Sequence, residues 1–360
     1  MENYPIFVND CLKINDEYII NKNFNKYINW TNINVNNIQF NSSTKSEIPL
    51  TFYPIAKNIR LTSSYMVQNI LNNKSSFIDN YARNGEPYFW ENNVNRGNWY
   101  PWLWARTRIE GNYKNIDGWS LYFDSFTNNQ KNIFIDNKDF LEPPNDLKLF
   151  FTYLSCLKYT FQLNNKYNNI MQTYITKMNF PINSNILAVQ IRRGETCTKD
   201  GMKTDRPYFS INNYIDKIQL MLDNNNFEYI YISTDSNEEI EKIKEFKPKW
   251  KLIYLPIDRS NFFRMDDNAK LQINGFNGIA QDLEDCCRLQ PEKIPFIVDS
   301  ALADLYFISL CKGYISTINQ SEFSRLGWFL QMATHNKILP YININTEMIN
   351  MNESGKLLMI

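Results

Sequence analysis

The chain has 360 residues, 43% of them hydrophobic, and its 38 Lys and Arg balance 38 Asp and Glu. Zero formal charge excludes a global field that would steer the molecule to nucleic acid or an anionic membrane, and the apolar fraction excludes disorder throughout. The length suits about two domains.

Six cysteines, Cys11, Cys156, Cys197, Cys286, Cys287 and Cys311, follow neither a zinc spacing nor a dense disulfide framework, so reduced structural thiols are expected. The lone histidine, His335, rules out a multi-histidine metal site and leaves a Ser-His-Asp triad dependent on one late residue. The first residues lack a basic start and an apolar core, and no stretch approaches the roughly 20 apolar residues of a membrane span. A soluble, cytoplasmic protein is the expectation.

Residues 1 to 60 alternate Asn-rich stretches with short β-like runs such as TFYPI, and 61 to 83 have a helical pattern. The tract from Tyr88 to Gly111 carries Trp90, Trp99, Trp102 and Trp104. Aromatics at this density either stack on the C–H faces of sugars or fill a core. Gly118-Trp119 marks a turn, and residues 132 to 136, NIFID, read as a strand. After Pro143-Pro144, apolar residues at helical spacing predict two helices between Leu147 and Met178, with Asn145 or Asp146 as a cap. Strand and helix patterns then alternate: strand 186–191, helix 209–222, strand 229–234, helix 237–246, strand 251–255. A polar connection over 258–293 precedes a helix to Cys311, a strand at 313–317 and a helix over 321–334. Such alternation predicts a parallel, doubly wound sheet.

The first of these strands, ILAVQI, ends in Arg192 and Arg193. Open α/β sheets bind ligands at the carboxyl ends of their strands, where a guanidinium fork suits a diphosphate. A helix-capping or surface-pairing role for one arginine is the competing reading. Polar sets end the other strands too: Glu195 after the arginines, then Thr234, Asp235 and Ser236, then Thr317, Asn319, Gln320 and Ser321. In a doubly wound sheet these loops converge on one crevice, although Asp235-Ser236 and Ser321 are equally explained as helix N-caps. Neither a glycine-rich dinucleotide fingerprint nor a phosphate loop of the G-x-x-x-x-G-K-[ST] type is present. There is no D-x-D triplet either, so arginine must neutralise any leaving diphosphate.

The segment ILAVQIRRGE resembles the His-Val-Arg-Arg-Thr/Gly-Asp strand and loop of the GDP-fucose-dependent α-1,6-fucosyltransferases, and protein O-fucosyltransferases share a related motif. The likeness continues in order: PPNDLKLFFTYLSCLKY resembles the family's helical approach, YIYISTDSNEE its second motif, and DLYFISLCKGYISTINQSEFSRLGW its third. It covers residues 142 to 330, about half of the chain.

Carried across position by position, the resemblance implies Arg192 on the β-phosphate with Arg193 beside it, Asp235 and its neighbour Ser236 in the second motif, and Asp304 as the acid that recognises guanine. Ser321 and Glu322 match a phosphate- and sugar-binding pair, Gln320 competes for that place, and Arg325 reaches the family arginine after a one-residue shift. The catalytic base falls on Asp205, which precedes the helix containing Tyr214; Asp200 is the ungapped alternative. Gln190 stands where the family has a base-contacting histidine, and Glu195-Thr196 replaces its Asp-Lys, with Lys199 as the candidate substitute for that lysine.

The resemblance implies an α/β protein with two Rossmann-like domains in the GT-B glycosyltransferase arrangement. Residues 1–145 would form an N-terminal acceptor-side domain, 146–180 a helical bridge, 181–340 the nucleotide-sugar-binding domain and 341–360 a C-terminal tail. The active site would lie between the domains. The expected activity is inverting transfer of fucose from GDP-fucose to a glycan or protein hydroxyl, with no cofactor and no metal. A transferase using another nucleotide sugar, a catalytically silent sugar- or nucleotide-binding protein of the same fold, and an interaction protein that kept only the fold are the rivals.

Overall fold

The computed structural model describes residues 153–154, 156–194, 208–262, 293–317, 321–335 and 339–344, several short strands outside these ranges, and residues 56, 59–60, 63 and 122–123. The Trp-rich tract, Gly118-Trp119 and the expected strand at 132–136 lie outside the described residues. The chain forms two compact units. One comprises residues 1–170, 325–338 and 349–360; the other comprises 171–324 and 339–348.

In the first unit, β1 (Phe7–Val8), β2 (Cys11–Ile14) and β3 (Glu17–Tyr18) form an antiparallel set, while β4 (Lys45–Pro49) pairs in parallel with β5 (Ser75–Asp79). Helical residues 156–160 end in a break before α1 (Asn165–Met178), as two separate helices require, and α1 belongs to the second unit from Met171 onward. Asn164 makes the second start: its Oδ1 accepts the Tyr167 backbone N–H at 3.0 Å, satisfying a donor that the new helix would otherwise leave unpaired. The Tyr122 and Tyr167 rings pack 5.1 Å apart beside it.

The second unit contains the sheet. Strands β6 (Ile186–Ile191), β7 (Tyr229–Thr234), β8 (Leu252–Ile253), β9 (Gly313–Ser316) and β10 (Tyr341–Asn343) alternate with α2 (Ile211–Asn224), α3 (Asn237–Phe246) and α4 (Ile294–Leu310). They are all parallel and lie in the order β10-β9-β6-β7-β8. Every residue of β6 is buried, which accounts for its continuous apolar run rather than an alternating one.

Two layers of helix cover the sheet. Leu187, Val189 and Ile191 on one face of β6 pack with Ile230 and Ile232 of β7 against Ile211, Ile215, Ile218 and Met221 of α2 and Ile240 and Ile243 of α3. Fully burying each such aliphatic side chain contributes about 1.5–3 kcal/mol. On the other face Tyr231 packs with Phe180 and Phe307, the latter from α4. Gly313 opens β9 where the Phe227 ring lies close: a Cβ would stand 2.4 Å from it.

Sequence-based bounds agree with β6, β7 and α3, and fall two residues early on α2, where Ser210 supplies the cap. The C-terminal tail needs correction. Tyr341–Asn343 is a strand, its residues paired with Tyr314, Ile315 and Ser316 of β9. Leu339, Tyr341, Ile342 and Ile344 are buried, so this run belongs to the sheet; its brevity hid it in the sequence. Helix α5 (Glu322–His335) follows β9, and β11 (Ile349–Met351) pairs with β12 (Leu357–Met359) antiparallel in the first unit. No helix among the described residues is long and apolar enough to cross a membrane.

Candidate functional site

Counting from β6, the strand order is that of a doubly wound dinucleotide-type sheet, in which the chain reverses its direction of travel between β6 and β9. The crevice outside the carboxyl ends at such a switch point is where these sheets take ligands. The loops at that point carry Arg192, Arg193 and Gly194 after β6 and Ser321 at the start of α5.

The loop after β6 is held from β7. Asp235 accepts the backbone N–H of Arg193 at 2.7 Å with Oδ1 and that of Gly194 at 2.8 Å with Oδ2. This carboxylate therefore shapes the turn instead of reaching outward. It does not cap α3, and neither does Ser236: that residue occupies the N-cap position but makes no side-chain cap bond.

Arg193 is turned into the protein and only 4% exposed. Its Nη2 donates to Glu239 Oε2 at 3.1 Å and to the Phe209 carbonyl at 2.7 Å, and the guanidinium lies 4.5 Å from the Tyr208 ring centroid and 5.7 Å from that of Tyr214. Burial works against the charge, but the Glu239 carboxylate and the two tyrosines override it and hold the Arg193 pKa above its ordinary value. Bound in this way, the guanidinium anchors the loop rather than offering itself to a diphosphate. Tyr214, expected at the donor, is 2% exposed and forms part of this anchor.

Arg193 keeps the strand's alternation, falling on the α2 and α3 face with Leu187, Val189 and Ile191. By the same alternation Arg192 belongs to the face of Gln190. Arg192 is half-buried.

That second face carries the remaining polar groups. Gln190 Oε1 accepts the Tyr314 hydroxyl at 3.0 Å and also the Ser324 hydroxyl. Gln190 thus ties β6 to β9 and to the first turn of α5, where Ser321 Oγ accepts the Ser324 N–H at 3.3 Å as an N-cap. Asp304, from α4, takes the Tyr231 hydroxyl on Oδ1 at 2.5 Å. Asp304 keeps part of its surface exposed, yet protein crowds the carboxyl, and this burial pushes its pKa up to about 6. Tyr231, Arg259 and Ser233 pull it down, and Asp235 pushes it up.

The raised pKa has a sign that can be checked. In the unfolded chain the carboxyl ionises near about 4, and in the fold only near about 6. The folded state therefore binds the proton more tightly, and stability falls as pH rises between those values and stays lower above them. Asp304→Asn is expected to raise stability at pH 7 by about 2 kcal/mol after allowance for partial exposure, and to have little effect near pH 4. Urea unfolding at both pH values checks this.

Several contributors escaped the sequence reading. Glu239, three residues after Ser236, has the spacing of a capping box, but it turns to Arg193. Arg259, 6% exposed, donates from Nε to the Thr234 carbonyl at 2.9 Å and from Nη2 to the Leu255 carbonyl at 3.0 Å, locking the ends of β7 and β8. No sequence signal distinguishes it from a surface arginine. Glu322 is half-buried in the first turn of α5, and Arg325 is half-buried in the part of α5 assigned to the other unit. Glu195, Asp200, Asp205 and Gln320 lie outside the described residues, as does Lys199. Among the described residues no group of three or more His, Cys, Asp or Glu side chains could hold a metal.

Fold and site together define a parallel α/β sheet protein with polar side chains at the carboxyl ends of the strands around its switch point. Its sequence matches no family model, and no curated protein matches it. The chain is similar in structure to NodZ α-1,6-fucosyltransferase soaked with GDP-fucose, at 12% identity over 88% of this chain and 99% of that one, with a TM-score of 0.41. It is also similar to fucosyltransferase NodZ from Bradyrhizobium at a TM-score of 0.39, with the same identity and coverage. POFUT1 in complex with GDP is similar over 53% of this chain and 51% of its own, at 12% identity and a TM-score of 0.32.

Proposed function

We propose that the chain is a glycosyltransferase that holds a nucleotide sugar at the carboxyl edge of its parallel sheet. The observation that carries this reading is the position of Arg192 directly after β6 at the switch point, with the start of α5 at the end of the neighbouring strand and Asp304 bonded to Tyr231 of β7. A guanidinium and a helix N-terminus suit a diphosphate, and a carboxylate suits the N–H groups of a base.

From the motif resemblance, the donor is GDP-fucose and the reaction an inverting transfer to a glycan or protein hydroxyl, without a metal. Asp205, with Asp200 as its alternative, removes the acceptor proton as the hydroxyl oxygen attacks the anomeric carbon. The bond from that carbon to the diphosphate breaks, and Arg192 stabilises the charge that develops on the leaving group. Arg193, Tyr214 and Asp235 support the loop that carries Arg192, and Ser321, Glu322, Gln320, Ser236 and Arg325 are further donor-side candidates.

One observation favours a second donor. Gln190, at the position of the family's base-contacting histidine, has its carbonyl oxygen held by two hydroxyls, which supports a nucleotide other than GDP. Thermal melting with GDP, UDP, dTDP and CDP, each with and without EDTA, separates the readings. A ligand at 100 times its dissociation constant should stabilise the protein by about 2.7 kcal/mol. Stabilisation by GDP alone, unchanged by EDTA, is the expected result. Another preferred nucleotide would remove fucose from the reading, and no response to any would remove the donor site.

A further inference from the structure

Tyr231 stands in the middle of β7 with no exposed surface, wedged against the Phe180 and Phe307 rings at 6.0 and 5.8 Å. A phenylalanine would fill that space, so packing does not account for the hydroxyl. The hydroxyl instead donates to Asp304 Oδ1 at 2.5 Å. Ser233, two residues on in β7, also hydrogen-bonds the carboxyl, so two hydroxyls from one strand hold its orientation.

We infer that Tyr231 is a positioning residue for nucleotide binding, orienting the Asp304 carboxyl toward the base. This role rests on the nucleotide-sugar reading given above. A hydrogen bond to the charged form favours ionisation, so the phenol extends to lower pH the range in which Asp304 can accept N–H groups. The phenol itself does not compete for the proton: burial, and then the Asp304 charge, push the Tyr231 pKa well above its ordinary value.

Other groups facing the carboxyl are Ser233 from β7, Arg259 and Asp235 from the loops after β8 and β7, Tyr174 from α1 and Tyr314 from β9. Arg259 favours the ionised form and Asp235 opposes it. Both are fixed by backbone contacts, Arg259 to the Thr234 carbonyl and Asp235 to the Arg193 N–H. Their influence is therefore common to the wild type and a Tyr231 variant.

The test is Tyr231→Phe, read in two ways. Without ligand, the pH dependence of the melting difference between Asp304→Asn and its parent reports the ionisation of Asp304, in the wild-type and Tyr231→Phe backgrounds alike. With GDP, dissociation constants are measured across pH for the wild type and Tyr231→Phe; protonation of GDP itself is common to both and cancels in their ratio. The expected result is that Asp304 ionises about one pH unit higher in the variant. GDP binding then weakens about threefold near pH 6.5 and recovers above about pH 8. An unchanged Asp304 transition, or a GDP ratio that is flat with pH, overturns the role while nucleotide binding stands. If no diphosphonucleoside binds the wild type at any pH, the nucleotide reading falls and takes this role with it.

Discussion

Glu239→Ala is expected to lower stability by about 3 kcal/mol, the low end of what breaking a buried ion pair costs. The carboxylate is 4% exposed and the Arg193 side chain 5%, so the lost partner is not replaced by bulk water. The remaining contacts of Arg193, with the Phe209 carbonyl and the Tyr208 and Tyr214 rings, place the value at the low end. For a cooperative unit of about 150–250 residues the melting temperature should fall by about 6–12 °C. Removing both charges, as Arg193→Met with Glu239→Leu, should cost clearly less than the sum of the single changes, because neither charge is then stranded. A variant melting within about 1 °C of the wild type would mean that desolvation already offsets the attraction, and that the loop is held by Asp235 instead.

Arg192→Ala should do the opposite, leaving stability nearly unchanged and removing activity. Half-buried at the end of β6, Arg192 is the arginine that the strand's alternation assigns to the Asp304 face. Its proposed work is to stabilise charge on a departing diphosphate, and loss of one such group lowers turnover by about 100–1,000-fold. GDP affinity should weaken as well, because the interaction exists before the bond breaks. Rates of transfer and of slow donor hydrolysis, measured beside the melting temperature, check the assignment. Near-normal turnover would sink it. The pair of adjacent arginines is thus expected to divide its labour: Arg192 acts on the ligand and Arg193 on the scaffold.

The sequence by itself determined most of the second unit. β-Branched runs at 186–191 and 229–234 have only one way to bury both faces, and the α2 pattern of Ile211, Tyr214, Ile215, Ile218 and Met221 is a helical stripe. Alternating strands and helices then require parallel pairing, since consecutive parallel strands need a crossover. The sequence also brought the polar strand ends to one edge, because all the strands point the same way. Short strands were harder: two or three residues, as in β8 and β10, carry too few positions for a period, and their membership is decided by the strand beside them.

Only the tertiary structure decided what each polar side chain does. Arg192 and Arg193 look alike in sequence, and alternation alone sends them to opposite faces. Asp235 reads as a helix cap until the Arg193 and Gly194 N–H groups appear in front of it, 42 and 41 residues away in sequence. Nothing local in sequence points Glu239, Tyr231 or Arg259 to its partner, because the partners lie 46, 73 and 25 positions distant along the chain. Local spacing fixes helices and strands through steric and hydrophobic periodicity. A buried charge or hydroxyl takes its role from whichever group the packed fold brings within hydrogen-bond reach.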